Sequence, residues 1–114
     1  MEPYVYRAKI IDVYDGDTCT AIVDLGFYVH IQMKLRLYGL DTPEVRGVEK
    51  VKGVQVRDIV RSRILNKDVI IKTFKDSQEK YGRYLAIIIY DLGTTNTNLN
   101  EQLLTEGNAV PMLY

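Results

Sequence analysis

Phe27-Tyr28-Val29-His30-Ile31-Gln32-Met33-Lys34-Leu35-Arg36-Leu37-Tyr38 is the stretch that decides the fold of this chain. Phe27, Val29, Ile31, Met33, Leu35 and Leu37 alternate with Tyr28, His30, Gln32, Lys34, Arg36 and Tyr38. Successive side chains of an extended strand point to opposite faces, so a run of this kind has one face on a core and one in water. A strand is therefore predicted over 27–38, with Arg36 projecting from the wet face, where a ligand would be met.

The neighbouring elements follow from the same two periodicities and from punctuation. Tyr4 to Tyr14 mixes β-branched and aromatic residues and predicts a strand, ended by the turn signal Asp15-Gly16. Thr18 to Asp24 predicts a second strand, joined to the third by a turn at Leu25-Gly26. Beyond Gly39, Asp41-Thr42-Pro43-Glu44 breaks the sheet, because the residue before a proline avoids helical angles. Residues 45–53 read as a loop containing Gly47 and Gly53, and Val54 to Leu65 as a helix carrying Val56, Ile59, Val60 and Ile64 on one stripe. Asp68 to Phe74 and Tyr84 to Tyr90 predict two further strands around a polar loop, Lys75 to Arg83. Asn98-Leu99-Asn100-Glu101 has the form of a capping box opening a short helix that stops at Gly107. Three strands, helix, two strands, helix is the order of a five-stranded Greek-key barrel of oligonucleotide-binding type (OB-fold). In this α+β arrangement one helix lies between strands 3 and 4 and a short helix is C-terminal. A twisted antiparallel sheet with packed helices is the alternative.

At 114 residues the chain is expected to form one domain over 1–114. Its 46% apolar and 26% charged residues have the balance of a soluble globular protein, and no apolar run approaches the roughly 20 residues that span a bilayer. Met1-Glu2-Pro3-Tyr4 shows no signal-peptide pattern, so the expected location is cytoplasmic, with secretion left open for a removed leader. A solitary Cys19 excludes an internal disulfide and reads as a small buried hydrophobe; His30, the one histidine, reads as a surface residue. Formal net charge is zero, but residues 44–84 hold 11 Lys/Arg against 6 Asp/Glu. That surplus is either a face that steers a polyanion or a solvated helix surface.

Three segments carry candidate chemistry: Asp15-Gly16-Asp17-Thr18, Asp41-Thr42-Pro43-Glu44 and Lys80-Tyr81-Gly82-Arg83. Each has an ordinary structural reading, as hairpin turn, helix start and basic loop. Together with Arg36 they say more, because carboxylates repel phosphate unless a divalent cation lies between them. In a five-stranded barrel the first two segments can share one rim. Asp17 and Asp41 would then supply hard oxygen ligands and the Thr42 carbonyl a neutral one. Ca²⁺ accepts such a set and completes it with water. With neither imidazole nor thiolate in these segments, zinc and copper are disfavoured. Arg36 and Arg83 could grip phosphate oxygens from two directions, with paired hydrogen bonds from each guanidinium. Glu44 is placed either to take a proton from an attacking water or to orient that water and Arg36.

These motifs, with Arg36-Leu37, Gly47-Val48-Glu49-Lys50 and the late helix Asn98 to Gly107, resemble the staphylococcal nuclease family from about Tyr6 to Tyr114. The resemblance implies an OB-fold barrel and a Ca²⁺-dependent, sugar-nonspecific nuclease. Such an enzyme cuts single- and double-stranded DNA and RNA and leaves 3′-phosphates; a monomer that prefers single-stranded or locally melted nucleic acid, away from membranes, is expected. It implies Asp17, Asp41 and Thr42 as metal ligands, Glu44 as general base and Arg36 and Arg83 as phosphate clamps. Asp15 becomes an acid beside the metal, and Lys80, Tyr81 and Tyr114 become substrate contacts. Two departures stand out: the 45–53 loop is shorter and poorer in lysine than is usual for the family, and secreted relatives are strongly basic where this chain is neutral. A nuclease-like barrel without catalysis, binding nucleic acid or protein, is the competing expectation.

Overall fold

The computed structural model describes residues 3–78 and 82–112. Among these residues, eight strands and two helices follow in the order β1 (Pro3–Asp15), β2 (Thr18–Asp24), β3 (His30–Leu37), β4 (Leu40–Asp41), α1 (Lys50–Ile64), β5 (Asp68–Gln78), β6 (Tyr84–Tyr90), β7 (Thr97–Asn98), α2 (Leu99–Thr105) and β8 (Val110–Pro111). A single 3₁₀ turn, Gly47–Glu49, leads into α1. The main strands run β3-β2-β1-β5-β6, and a parallel pairing of β3 with β6 closes them into a five-stranded mixed barrel. This is the OB-type barrel expected, and the closing parallel pair rules out the open antiparallel sheet. No described helix is long and apolar enough to cross a membrane.

The core fills the barrel and the space under the helices. Ile10, Val13, Ala21, Leu35, Ile71, Ala86 and Ile88 point inward, each fully or almost fully removed from water. α1 adds Val56, Val60 and Ile64, and α2 adds Leu99 and Leu103. Cys19 is buried as expected, with burial pushing its thiol up to about 12. His30 is exposed on the outer face of β3.

Strand β1 departs from simple alternation. Ile10 and Val13 are both fully buried although three residues apart, which an unbroken strand cannot achieve. Two bulges resolve this, the register against β2 slipping between Ile10 and Asp12 and again between Val13 and Asp15. Each inserts one extra residue, Ile11 and Tyr14, so that Asp12 and Asp15 emerge beside Thr20 and Thr18. The second bulge leaves the Val13 carbonyl to be met by Arg61 of α1, whose Nε and Nη2 donate to it at 3.1 and 2.9 Å.

Several predicted boundaries move. The third strand begins at His30, not Phe27. Gly26, Phe27 and Tyr28 all take left-handed angles, with φ of 82°, 55° and 61°. The Asp24 carboxylate accepts the Gly26 N–H at 2.8 Å, and Leu25 and Val29 pair across the turn, the Leu25 N–H reaching the Val29 carbonyl at 2.9 Å. Phe27 and Tyr28 lie in solvent, so apparent alternation across 27–29 is a turn with apolar residues in it. Helix α1 begins at Lys50, not Val54, and Gly53, predicted in a loop, is buried inside it. The fourth predicted strand runs on past Phe74 to Gln78.

Candidate nucleic-acid site at the barrel rim

Barrel closure assembles the site. Pairing of Leu35, Arg36 and Leu37 with Tyr84, Leu85 and Ala86 sets the start of β6 beside Arg36 and brings Arg83 with it. Antiparallel pairing of β2 with β3 sets Thr18 opposite Arg36, and the β1 bulge sets Asp15 opposite Thr18. The chain then turns after Leu37 into the 41–44 segment, which comes back over the β1–β2 turn. An open cavity of about 1160 Å³ results, and Asp15, Asp17, Thr18, Arg36, Asp41, Thr42, Glu44 and Arg83 all line it.

Asp17 is the hub. It is buried to 5% exposure, and Arg36 Nη1 lies 3.0 Å from its Oδ2. That oxygen also accepts the Thr42 N–H at 3.1 Å, while Oδ1 accepts the Thr18 hydroxyl at 3.1 Å. Thr18 Oγ1 in turn accepts a hydrogen bond from Arg83 Nη1 at 2.9 Å. On the other side, Arg36 Nη2 contacts the Asp41 carboxylate and donates to the Leu40 carbonyl at 3.1 Å. Two carboxylates and two arginines thus form one connected network, with the Arg36 guanidinium between Asp17 and Asp41.

The two acids of the β1–β2 turn are driven apart electrostatically. Burial raises Asp15 to about 7, helped by its hydrogen bond with Asp17 and by that residue's charge. Burial also opposes ionisation of Asp17. It is outweighed by the hydrogen bond from Asp15, the Thr42 N–H, the Arg36 charge and the Thr18 hydroxyl, so Asp17 is held below its ordinary value. At neutral pH the pair therefore carries an ionised Asp17 and an Asp15 close to half protonation, whose proton is directed at Asp17.

A hard divalent cation suits this donor set. Asp17 and Asp41 converge on a common guanidinium, and Thr42 Oγ1 is a buried oxygen with no hydrogen-bond partner among the described residues. Among those residues no three His, Cys, Asp or Glu side chains form a ready-made cluster. Two carboxylates and neutral oxygens suit an ion that keeps several waters, as Ca²⁺ does, and not a zinc centre closed by protein ligands.

The sequence model of staphylococcal nuclease homologues matches residues 34–114. This chain belongs to the staphylococcal nuclease family. A thermonuclease of Staphylococcus hyicus is 36% identical over 109 residues, covering 93% of this chain and 59% of that protein. An uncharacterized protein of Methanocaldococcus jannaschii is 30% identical over 125 residues, covering 91% of this chain and 58% of its own length. The chain therefore spans a little under three fifths of these relatives.

Of the residues singled out in the sequence, this nuclease-family barrel gathers Asp15, Asp17, Arg36, Asp41, Thr42, Glu44 and Arg83 around one cavity. Lys80, Tyr81 and Tyr114 lie outside the described residues. Two glycines read from sequence as turn and loop residues are set by close contacts instead. A methyl group on Gly53 would overlap the Glu44 carbonyl, so the backbone of the 43–44 segment rests directly on helix α1. A Cβ on Gly16 would lie 2.7 Å from a Val56 methyl and 2.9 Å from Thr42 Oγ1.

The three arginines of α1 all have partners within the chain. Arg63 pairs with Glu106 through two bonds of 2.7 Å, Arg57 with Asp58 at 3.2 Å, and Arg61 with the Val13 carbonyl.

Proposed function

We propose that this chain is a Ca²⁺-dependent, sugar-nonspecific nuclease that hydrolyses phosphodiester bonds of DNA and RNA by in-line attack of water, leaving 3′-phosphate ends. The observation that carries the reading is the Arg36 guanidinium lying between Asp17 and Asp41 while Arg83 joins the same network through Thr18. A structural ion pair needs only one acid per arginine, whereas here two acids and two arginines share one network lining a cavity.

In this reading Asp17, Asp41 and the Thr42 carbonyl hold the cation. A bound Ca²⁺ would supply charge stabilisation to a phosphate oxygen that becomes more negative as the bond order changes. Arg36 and Arg83 hold the remaining non-bridging oxygens, Arg36 from the sheet and Arg83 from the edge of β6. Fixed charges aimed at developing charge are worth about 2.7–4 kcal/mol each on removal. Glu44 accepts a proton from the attacking water as the O–P bond forms; the 5′ oxygen departs and is protonated by solvent. If Glu44 instead only orients water and Arg36, the carboxylate still has to sit over the phosphate, so removing its charge slows cleavage either way.

The test is cleavage of a single-stranded oligonucleotide at fixed low salt, with Ca²⁺ against excess chelator, for wild type, Glu44→Gln and Arg83→Gln. Cleavage should require Ca²⁺ and fall by two or more orders of magnitude in each variant, with binding retained. Cleavage indifferent to chelator or to either substitution overturns the mechanism. Binding with no cleavage in wild type favours the non-catalytic module.

A further inference from the structure

We infer that Lys34 and Tyr14 form a second nucleotide subsite, which takes the nucleotide adjoining the scissile phosphate in single-stranded substrate. The inference rests on the nuclease reading for the position of that phosphate, but not on catalysis itself. On the outer face of the barrel, Arg36 lies opposite Thr18 and Lys34 lies opposite Thr20, two residues further along both strands. Two residues of antiparallel strand advance about 6.8 Å, comparable with the step between successive phosphates of an extended nucleic-acid strand. Lys34 therefore stands one phosphate along from Arg36, in the same cavity. Among the described residues it makes no ion pair, whereas Arg57, Arg61 and Arg63 of α1 are engaged.

Tyr14 supplies the other half. It is the extra residue of the second bulge in β1, and bulges beside binding sites re-aim side chains. Its ring is half exposed, borders the cavity, and has its hydroxyl in contact with Nη2 of Arg46, a second cavity residue. A ring fixed at both ends and open on a face is a stacking platform, and stacking tolerates any base. Only an unstacked base can use it, which selects single strands. Asp12, at the β1 end of the Lys34–Thr20 row, repels phosphate and keeps the backbone on the β3 side.

The experiment measures binding and cleavage separately on the whole chain. Anisotropy of a labelled ten-residue oligothymidylate, with chelator present, is read for wild type, Lys34→Gln, Tyr14→Ala and Tyr14→Phe. Lys34→Gln and Tyr14→Ala should each weaken binding at least fivefold. Lys34→Gln should also reduce the slope of log affinity against log salt by about 0.7, the share of one single-strand phosphate contact. Tyr14→Phe keeps the ring and should bind within about twofold of wild type, separating stacking from misfolding. With Ca²⁺ present, the KM loss of Lys34→Gln should be at least fivefold larger on the oligonucleotide than on a nitrophenyl phosphodiester of one nucleoside. Unchanged binding in Lys34→Gln and Tyr14→Ala, or equal losses on both substrates, overturns the subsite. Weakened binding in a protein that cleaves nothing retains the subsite and discards the nuclease reading.

Discussion

Asp15 and Asp17 sit two residues apart and titrate in opposite directions: burial raises Asp15, while the hydrogen bond from Asp15, then the Thr42 N–H and the Arg36 charge, outweigh burial at Asp17. The sign for stability follows from Asp15, whose folded value of about 7 stands above its ordinary 3.8. Between those values the folded chain holds a proton that the unfolded chain has released. The associated stability is full below about 4 and is lost as pH rises through 7. In chelator, Asp15→Asn should therefore gain on wild type in urea midpoint progressively from pH 5 to pH 8. A difference that stays constant over that range refutes the assignment. Gly53 gives a second residue-scale prediction. Helix propensity alone favours alanine by about 1 kcal/mol, but a Cβ there meets the Glu44 carbonyl. Gly53→Ala should lower Tm and, through displaced Glu44, reduce kcat on the order of 100-fold; a raised Tm with unchanged kcat would show that the 43–44 segment yields freely. Asp17, Asp41, Glu44, Arg36 and Arg83 were all legible in the sequence as chemical types. Gly16 and Gly53 were not, because what makes them necessary is a neighbouring backbone or side chain distant in sequence.

At the scale of elements, strands announced themselves where burial on one face was continuous. β2 and β6 match their predicted bounds, since Cys19, Ala21, Val23 and Ala86, Ile88, Tyr90 alternate with less buried residues. Phe27 to Val29 alternates equally well and yet forms a turn, because a pattern of residue types does not register left-handed angles. The bulges of β1 were equally invisible, being set by the demand that both Ile10 and Val13 reach the core. Arg61 joins helix to bulge, and its loss would leave the Val13 carbonyl short of donors. Arg61→Ala should cost about 1–3 kcal/mol in urea unfolding, more than Arg57→Ala, whose ion pair with Asp58 is a surface pair. Equal costs for the two would mean that solvent serves the carbonyl as well as arginine does.

For the whole molecule the decisive contact is the parallel closure of β3 on β6, which no local signal encodes. Asn100 fastens it: the side chain donates to the Tyr38 and Ala86 carbonyls, both at 3.0 Å, and accepts the Ile88 N–H at 3.1 Å. It is 5% exposed, so Asn100→Ala takes the acceptor from the buried Ile88 N–H, a loss of about 1–3 kcal/mol, while the Ala86 carbonyl keeps the Tyr38 N–H at 2.8 Å. Chemical denaturation should show that loss, and cleavage should fall with it as Arg83 drifts from Thr18. Full stability in Asn100→Ala would separate the closure from this side chain. The sequence by itself determined which strands and helices exist, which faces they bury and which acids and arginines are available, because periodicity and residue type are local properties. Only the tertiary structure decided that Asp17, Asp41, Arg36 and Arg83 meet. Their meeting depends on register, bulges and barrel closure, which are settled by packing between segments far apart in the chain.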